Sequence, residues 1–451
     1  MKRRILPANS SRFLTRTNRT IAAKPAPTRL RPSWLRYNWC GLAALVVLSA
    51  SVSQGQEWTR FRGPNGQGIS HGETIPIKWT EKDYNWKVKL PGGGHSSPVV
   101  WKDRIFVTSG DEKAGCGIIL ALSVSDGHTL WQKQYVAGSY RRNSLNSYAS
   151  PTPAVDADHV YVLLPASNKT ILAALDHNGN EVWMRTFDGV HSSHGAGGSP
   201  VVFEDIVVFT HEQERGGDDV LSVWMAVEGK TGRTQWRLER EKSPKMSYST
   251  PCLYGEDKPQ LIFTSYQHGI TGVDPHTGRV MWEAKSAFAH RVVSSPVIAG
   301  ELIIGTCGTG PSGKRLVAIR PGGANKPTEP KEVYRIENRT VPYVPISLAL
   351  GELLFTFHDR GDISCLRSAT GEQLWREKPA GRFYGSPVCV DGKLYCITTA
   401  GEVVVLRAAP TYELLAVNPL GEKSHATPAV ADGNMYLRTL THLISIGRKK
   451  E

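Results

Sequence analysis

Seven side chains stand at recurring distances ahead of a proline, and their types suit ligand recognition better than bond-making. His95, Tyr248, Tyr384 and His425 each precede such a proline by three residues, and Tyr148, His194 and Arg291 do so at slightly longer spacing. Imidazole, phenol and guanidinium groups can hydrogen-bond to or stack on a planar or anionic ligand once a fold gathers them. The plainer alternative is that they fill a channel mouth and hold ordered water. Arg141 and Arg142, in SYRRNSLNSY (139–148), could grip a carboxylate or phosphate, or stay solvated. His191 and His194 have a His-x-x-His spacing, but zinc needs further ligands and none is close in sequence, so loop polarity is the better reading. There is no Gly-x-Ser-x-Gly elbow and few acids stand near these positions, which leaves hydrolysis without support. No catalytic residue and no metal ligand is assigned.

The prolines belong to a short polar-proline-aliphatic cassette: HSSPVV (95–100), GSPVV (198–202), SSPVI (294–298) and GSPVC (385–389), with PTPAV, STPCL and ATPAV as variants. Each cassette opens a unit of roughly 40 to 55 residues, the period of a propeller blade. After the cassette come an Asp-Gly-like turn, an aliphatic strand, an Ala-Leu-Asp strand, a Thr-Gly or Asn-Gly turn, and a strand ending in Trp. Trp131, Trp183, Trp236, Trp282 and Trp375 close such units, while Tyr334 and Leu415 take the Trp slot in two others. The degenerate ISLALGELLFTF (346–357) supplies an eighth unit with Ser347 in place of the proline. The last unit, ATPAVADGNMYLRTLTHLISIG, holds only three strands, whereas DYNWKVKL (83–90), carrying Trp86, precedes the first cassette. An N-terminal strand completing the last blade would close the ring and remove exposed sheet edges. The expected fold is therefore an all-β, eight-bladed β-propeller of four-stranded blades. Its six Trp residues would pack between blades, and the cassette strand would be innermost, placing the seven polar residues around one channel mouth.

Charge and cysteine usage bound the function. The chain carries 54 Lys and Arg against 41 Asp and Glu, a net charge of +13. Ten of these bases and no acid lie within residues 1–53, so the remainder is nearly balanced, which excludes a basic nucleic-acid-binding surface. The basic stretch precedes CGLAALVVLSA (40–50), too short to span a bilayer, and reads as an export signal cleaved near 53–55, with an uncleaved anchor as the alternative. Cys40 precedes this apolar run, so a lipoprotein-type attachment is unsupported. The six later cysteines include no CxxC pair. A hairpin turn at Asp391-Gly392 would set Cys389 opposite Leu394 and place Cys396 diagonally, which favours buried free thiols over a disulfide. The expected layout is a signal over 1–53, a lead-in over 54–80, the propeller over 81–447 and a tail over 448–451.

This pattern resembles the pyrroloquinoline-quinone (PQQ)-like repeat family. ALDHNGNEVW (174–183) is similar to its tryptophan-docking run, and EWTRFRGPNGQGIS (57–70) is similar to an opening found in secreted planctomycete-type members. The resemblance covers residues 80–447 or so and implies the fold more firmly than the activity. It implies either a quinoprotein dehydrogenase holding PQQ and Ca²⁺ at the propeller axis or a non-enzymatic propeller, like the lipoprotein of the outer-membrane β-barrel assembly machinery. The dehydrogenases carry adjacent cysteines and long insertions that this chain lacks, and their calcium ligands find no counterpart here. The nearest acidic cluster, GGDDV (216–220), reads as a hairpin loop, and GGANKPTEPKE (322–332) as a surface loop. The expectation is an exported, periplasmic, envelope-associated or secreted bacterial propeller without a cofactor. It would present its channel mouth and inter-blade loops to a protein, peptide or glycan partner, with no nucleic acid and no membrane contact beyond an uncleaved N-terminus or the partner. The alternative is a PQQ- and Ca²⁺-dependent alcohol or sugar oxidoreductase.

Overall fold

The computed structural model describes residues 57–72, 74–136, 138, 142–214, 221–309, 312–323, 329–338 and 341–448. The expected signal, Arg141 and GGDDV lie outside them. The described residues form eight sheets built on four antiparallel strands, taken in sequence order in blades one to seven and arranged as an eight-bladed propeller. Blade one runs through Val99–Trp101, Arg104–Asp111, Cys116–Ser123 and Thr129–Val136. Blades two to seven repeat this plan. Blade eight takes Ala429–Ala431, Asn434–Arg438 and His442–Gly447 from the C-terminus and Trp86–Lys89 from the N-terminus, with Trp86 paired to Ser445. The ring is thus closed by the N-terminal strand.

Burial follows position within the blade. The third strand of blade one, Cys116–Ser123, is buried throughout because blades cover both its faces, and it reads as an unbroken apolar run. The outermost strand of blade two, Glu181–Asp188, alternates exposed and half-buried residues because one face meets solvent. The inner strands are only two or three residues long and contact their counterparts in adjacent blades, as Val99–Trp101 does with Ala154–Val155 and Ala429–Ala431. Asp391 and Gly392 both have positive φ (47° and 66°), a two-residue hairpin turn that sets Cys389 opposite Leu394. All six described cysteines are buried free thiols.

The turn before each outermost strand explains its glycine. Gly179 has φ 87°, and a Cβ there would lie 2.7 Å from the Trp131 ring of the preceding blade. The indole N–H of Trp131 donates to the His177 carbonyl in that turn (2.8 Å). Trp86, Trp183, Trp236 and Trp375 reach the next blade in the same way, at Val124, Gly229, Pro275 and Ala409. Tyr334 donates to the Ser368 carbonyl (2.8 Å). Trp282 differs: blade five offers no Thr-Gly turn, and its indole turns to Gln260 of its own blade (2.6 Å). Blade seven corrects a register as well. A bulge skips Leu415, so Ala416, opposite Val405, holds the position that Trp residues take elsewhere.

Candidate functional site

The cassette residue immediately before each proline builds a ring that sequence reasoning did not foresee. The Ser97 N–H donates to the Thr152 hydroxyl, Thr152 to Ser199, Ser199 to Thr250, and Thr250 to Ser295, all at 2.9–3.0 Å. Ile346 donates to Ser386, Ser386 to Thr427, and Thr427 back to Ser97. Every blade but the sixth lends a hydroxyl to the backbone of the blade before it, which satisfies N–H groups buried at the crowded axis. Ile346 brings no hydroxyl, so the lacing is interrupted between Ser295 and Ile346.

Below this ring the lead-in crosses the channel. At the second residue after the cassette proline, five blades turn an N–H to it. Val100 and Val155 donate to the Trp58 and Thr59 carbonyls, Leu253 to Asn65 Oδ1, Ile298 to Gln67 Oε1, and Cys389 to the Gly68 carbonyl. Arg60 donates to the Pro251 carbonyl, and Arg62 to those of Ser347 and Pro387. Ile69 and Ser70 then add a parallel fifth strand to blade seven. Inner strands have no neighbour on their channel edge, and this segment supplies the missing partners. It also closes the channel on that side.

Above the plug lies a cavity of about 450 Å³. Phe61 of the lead-in lines it together with ring residues Ser97, Ser295, Ser386 and Thr427 and, at the mouth, His95, His194, Tyr248, Arg291, Tyr384 and His425. Six of the seven side chains singled out in the sequence thus converge. Tyr148 does not reach the cavity: it packs on the apolar cluster shared by blades one and two and lies under the Arg142 guanidinium (5.1 Å). Arg142 itself pairs with Glu112 and donates to the Asn146 carbonyl, which ties the loop over blades one and two. Asn143, Leu145 and Asn146 of this loop line the cavity, as does Tyr343, and these positions carried no signal beyond loop polarity.

The walls differ in character. On one side the His95 and His425 rings lie 4.5 Å apart, and Tyr384 meets His425 edge-on at 4.9 Å. Burial, then the charges of His425, Arg438 and Arg142, push His95 down to about 3, and burial lowers His425. Both imidazoles are therefore neutral at neutral pH, which lets them stack without repulsion. Across the cavity Arg291 sits between Tyr248 and Tyr343 and pairs with Glu214 at 3.4 Å. Burial works against its charge, but its hydrogen bond to Tyr343 and the neighbouring groups outweigh this and hold the guanidinium above its ordinary range.

This lining does not suit a Ca²⁺–PQQ centre. Calcium takes six to eight oxygen ligands, several of them carboxylates. Among the described residues no Asp or Glu lines the cavity, and no group of three His, Cys, Asp or Glu is placed to hold a metal ion. The charged group that lines the cavity, Arg291, is a guanidinium paired with Glu214 at the cavity's edge.

A family model described as outer membrane protein assembly factor BamB matches residues 70–216, 141–334 and 359–446. No curated protein matches the chain. Among solved structures it is similar to BamB from Moraxella catarrhalis (14% identity, TM-score 0.55, covering 81% of this chain and 97% of that one). It is also similar to a quinohemoprotein alcohol dehydrogenase from Comamonas testosteroni (13%, 0.62, 88% and 81%) and to a europium-containing methanol dehydrogenase (12%, 0.52, 86% and 90%). At these identities the likeness concerns the fold.

Proposed function

Since the chain belongs to the PQQ-like β-propeller family, we propose that it acts as a non-enzymatic binding or scaffolding module of the cell envelope. It engages a protein, peptide or glycan partner through the cavity mouth and the loop over blades one and two. The observation that carries this reading is the blind cavity, lined among the described residues by imidazole, phenol, amide and guanidinium groups and by no carboxylate. Such a lining can bind a ligand, and it lacks the convergent carboxylates that Ca²⁺ takes. The family description and the BamB likeness support an envelope partner and a location outside the cytoplasm. The export signal proposed for residues 1–53 agrees with that location. The test has two arms. A photo-crosslinking residue at Leu145, which lines the cavity, is expected to capture an envelope partner in cells. Residues 54–451 titrated with PQQ and Ca²⁺ are expected to show no dye-coupled oxidation of alcohols or sugars; stoichiometric binding with turnover would overturn the proposal.

A further inference from the structure

The cavity has a chemistry narrower than "a binding mouth". It is blind, because Phe61 and the lead-in close its inner end. A blind pocket admits the end of a molecule, not an extended chain running through. Its surroundings also carry more positive than negative groups: Arg291 pairs with Glu214 (3.4 Å) and Asp359 accepts the Tyr343 and Val344 N–H groups, but three further arginines have no acid partner among the described residues. Arg60 and Arg62, on either side of Phe61, and Arg438, which holds the Ser96 carbonyl between His95 and Ser97, are all buried. They donate to the carbonyls of Pro251, Gly66, Ser347, Pro387, Ser96 and Thr108 and to the Ser109 hydroxyl. Burial draws Arg60 down to about 10 and Arg62 and Arg438 to about 9, so all three stay protonated at neutral pH. Buried charge lacking a counter-ion is costly and favours an anion close by. The acid at the cavity's edge, Glu214, already accepts N–H bonds from Ser193 and Met246. Opposite Arg291 lies the aromatic wall of His95, His425 and Tyr384, and Phe61, Val293, Val344 and Ile346 add apolar surface.

We infer that the cavity takes a single carboxylate carried on an aromatic or branched apolar group, with the charge toward Arg291 and the body against His95, His425 and Tyr384. The inference rests on the reading of this mouth as a binding site and names what enters it. The same chemistry belongs to the last residue of a polypeptide and to a free aromatic acid. An ammonium group is opposed by the arginines, and one lining guanidinium suits one negative charge rather than several.

Binding of a fluorescein-labelled pentapeptide ending in Phe as the free acid tests this, measured beside its C-terminal amide and with 3-phenylpropionate as competitor. The acid is expected to bind at least roughly tenfold more tightly than the amide. Arg291→Gln should erase that difference, and Arg291→Lys should retain part of it. Tyr384→Ala should weaken acid and amide alike. Competition by 3-phenylpropionate at the peptide's own affinity identifies a free aromatic acid as the occupant, and peptide binding without such competition identifies a chain end; either supports the inference. Equal binding of acid and amide, or an unchanged preference in a folded Arg291→Gln protein, overturns it. Absence of acid binding, with a partner still captured at Leu145, overturns the carboxylate inference alone; absence of both also removes the binding-module reading.

Discussion

Thr250→Val probes the hydroxyl ring with little change of shape. Thr250 is 2% exposed, and its Oγ1 accepts the buried Ser199 N–H at 3.0 Å, while its own N–H donates to Ser295. Valine fills the same volume, so packing is kept, but the Ser199 N–H loses its acceptor where water does not reach. Leaving a buried donor unpaired costs about 1–3 kcal/mol. Thr250→Ser is the matched control. It keeps the acceptor and removes one methyl, a loss of about 0.8 kcal/mol. Urea unfolding of residues 54–451, followed by tryptophan fluorescence, should rank the proteins wild type, then Thr250→Ser, then Thr250→Val, with a lower midpoint at an unchanged slope. A Val variant as stable as wild type, or more stable than the Ser variant, would refute the reasoning that hydroxyl-to-backbone bonds lace the blades.

The buried histidines make stability depend on pH. An unfolded imidazole titrates near 6.5. His95 is held at about 3, so below pH 6.5 the unfolded chain binds a proton that the folded one refuses. Stability contributed above pH 6.5 is therefore lost as pH falls, about 2 kcal/mol between pH 7 and 5 for His95 alone. His211, held at about 4, adds in the same direction. Urea midpoints that stay level over this range would contradict the burial of these rings, and His95→Gln should flatten the slope. Gly179→Ala combines a left-handed backbone with a Cβ 2.7 Å from Trp131. A loss of about 2–4 kcal/mol is expected, visible in the same denaturation curves. Asn65→Ala removes two bonds that hold the lead-in to Leu253, at 2.7 and 2.8 Å. It should cost about 1–3 kcal/mol and speed proteolysis within residues 57–70; a cleavage rate equal to wild type would contradict the role of the lead-in as a plug.

The sequence alone determined the blade count, the strand order within a blade and the closure of the ring. These follow from short-range signals written eight times: a proline-bearing cassette, a turn glycine, an aromatic residue. Repetition lets a degenerate copy such as ISLALGELLFTF be read from its neighbours, and Trp86 ahead of the first cassette showed where the missing strand came from. The convergence of His95, His194, Tyr248, Arg291, Tyr384 and His425 was legible for the same reason, since equal positions in successive blades meet at the axis. Tyr148 broke the pattern although its spacing from the cassette equals that of Arg291, because its ring packs on the apolar cluster shared by blades one and two. Leu415 was misplaced because Ala416, which takes the slot, carries no aromatic ring to mark it; the bulge beside it recurs in the outer strands of blades one to seven.

What only the tertiary structure decided is the inside of the channel. Asn65 meets Leu253, Arg62 meets Pro387, and Arg438 meets Ser96, pairs separated by 188, 325 and 342 residues. No periodicity links such partners, because each contact occurs once. The lead-in's destination, the three buried arginines and the single gap in the hydroxyl ring at Ile346 are consequences of closing the circle. Local patterning specifies how each blade folds, and closure specifies what the blades enclose.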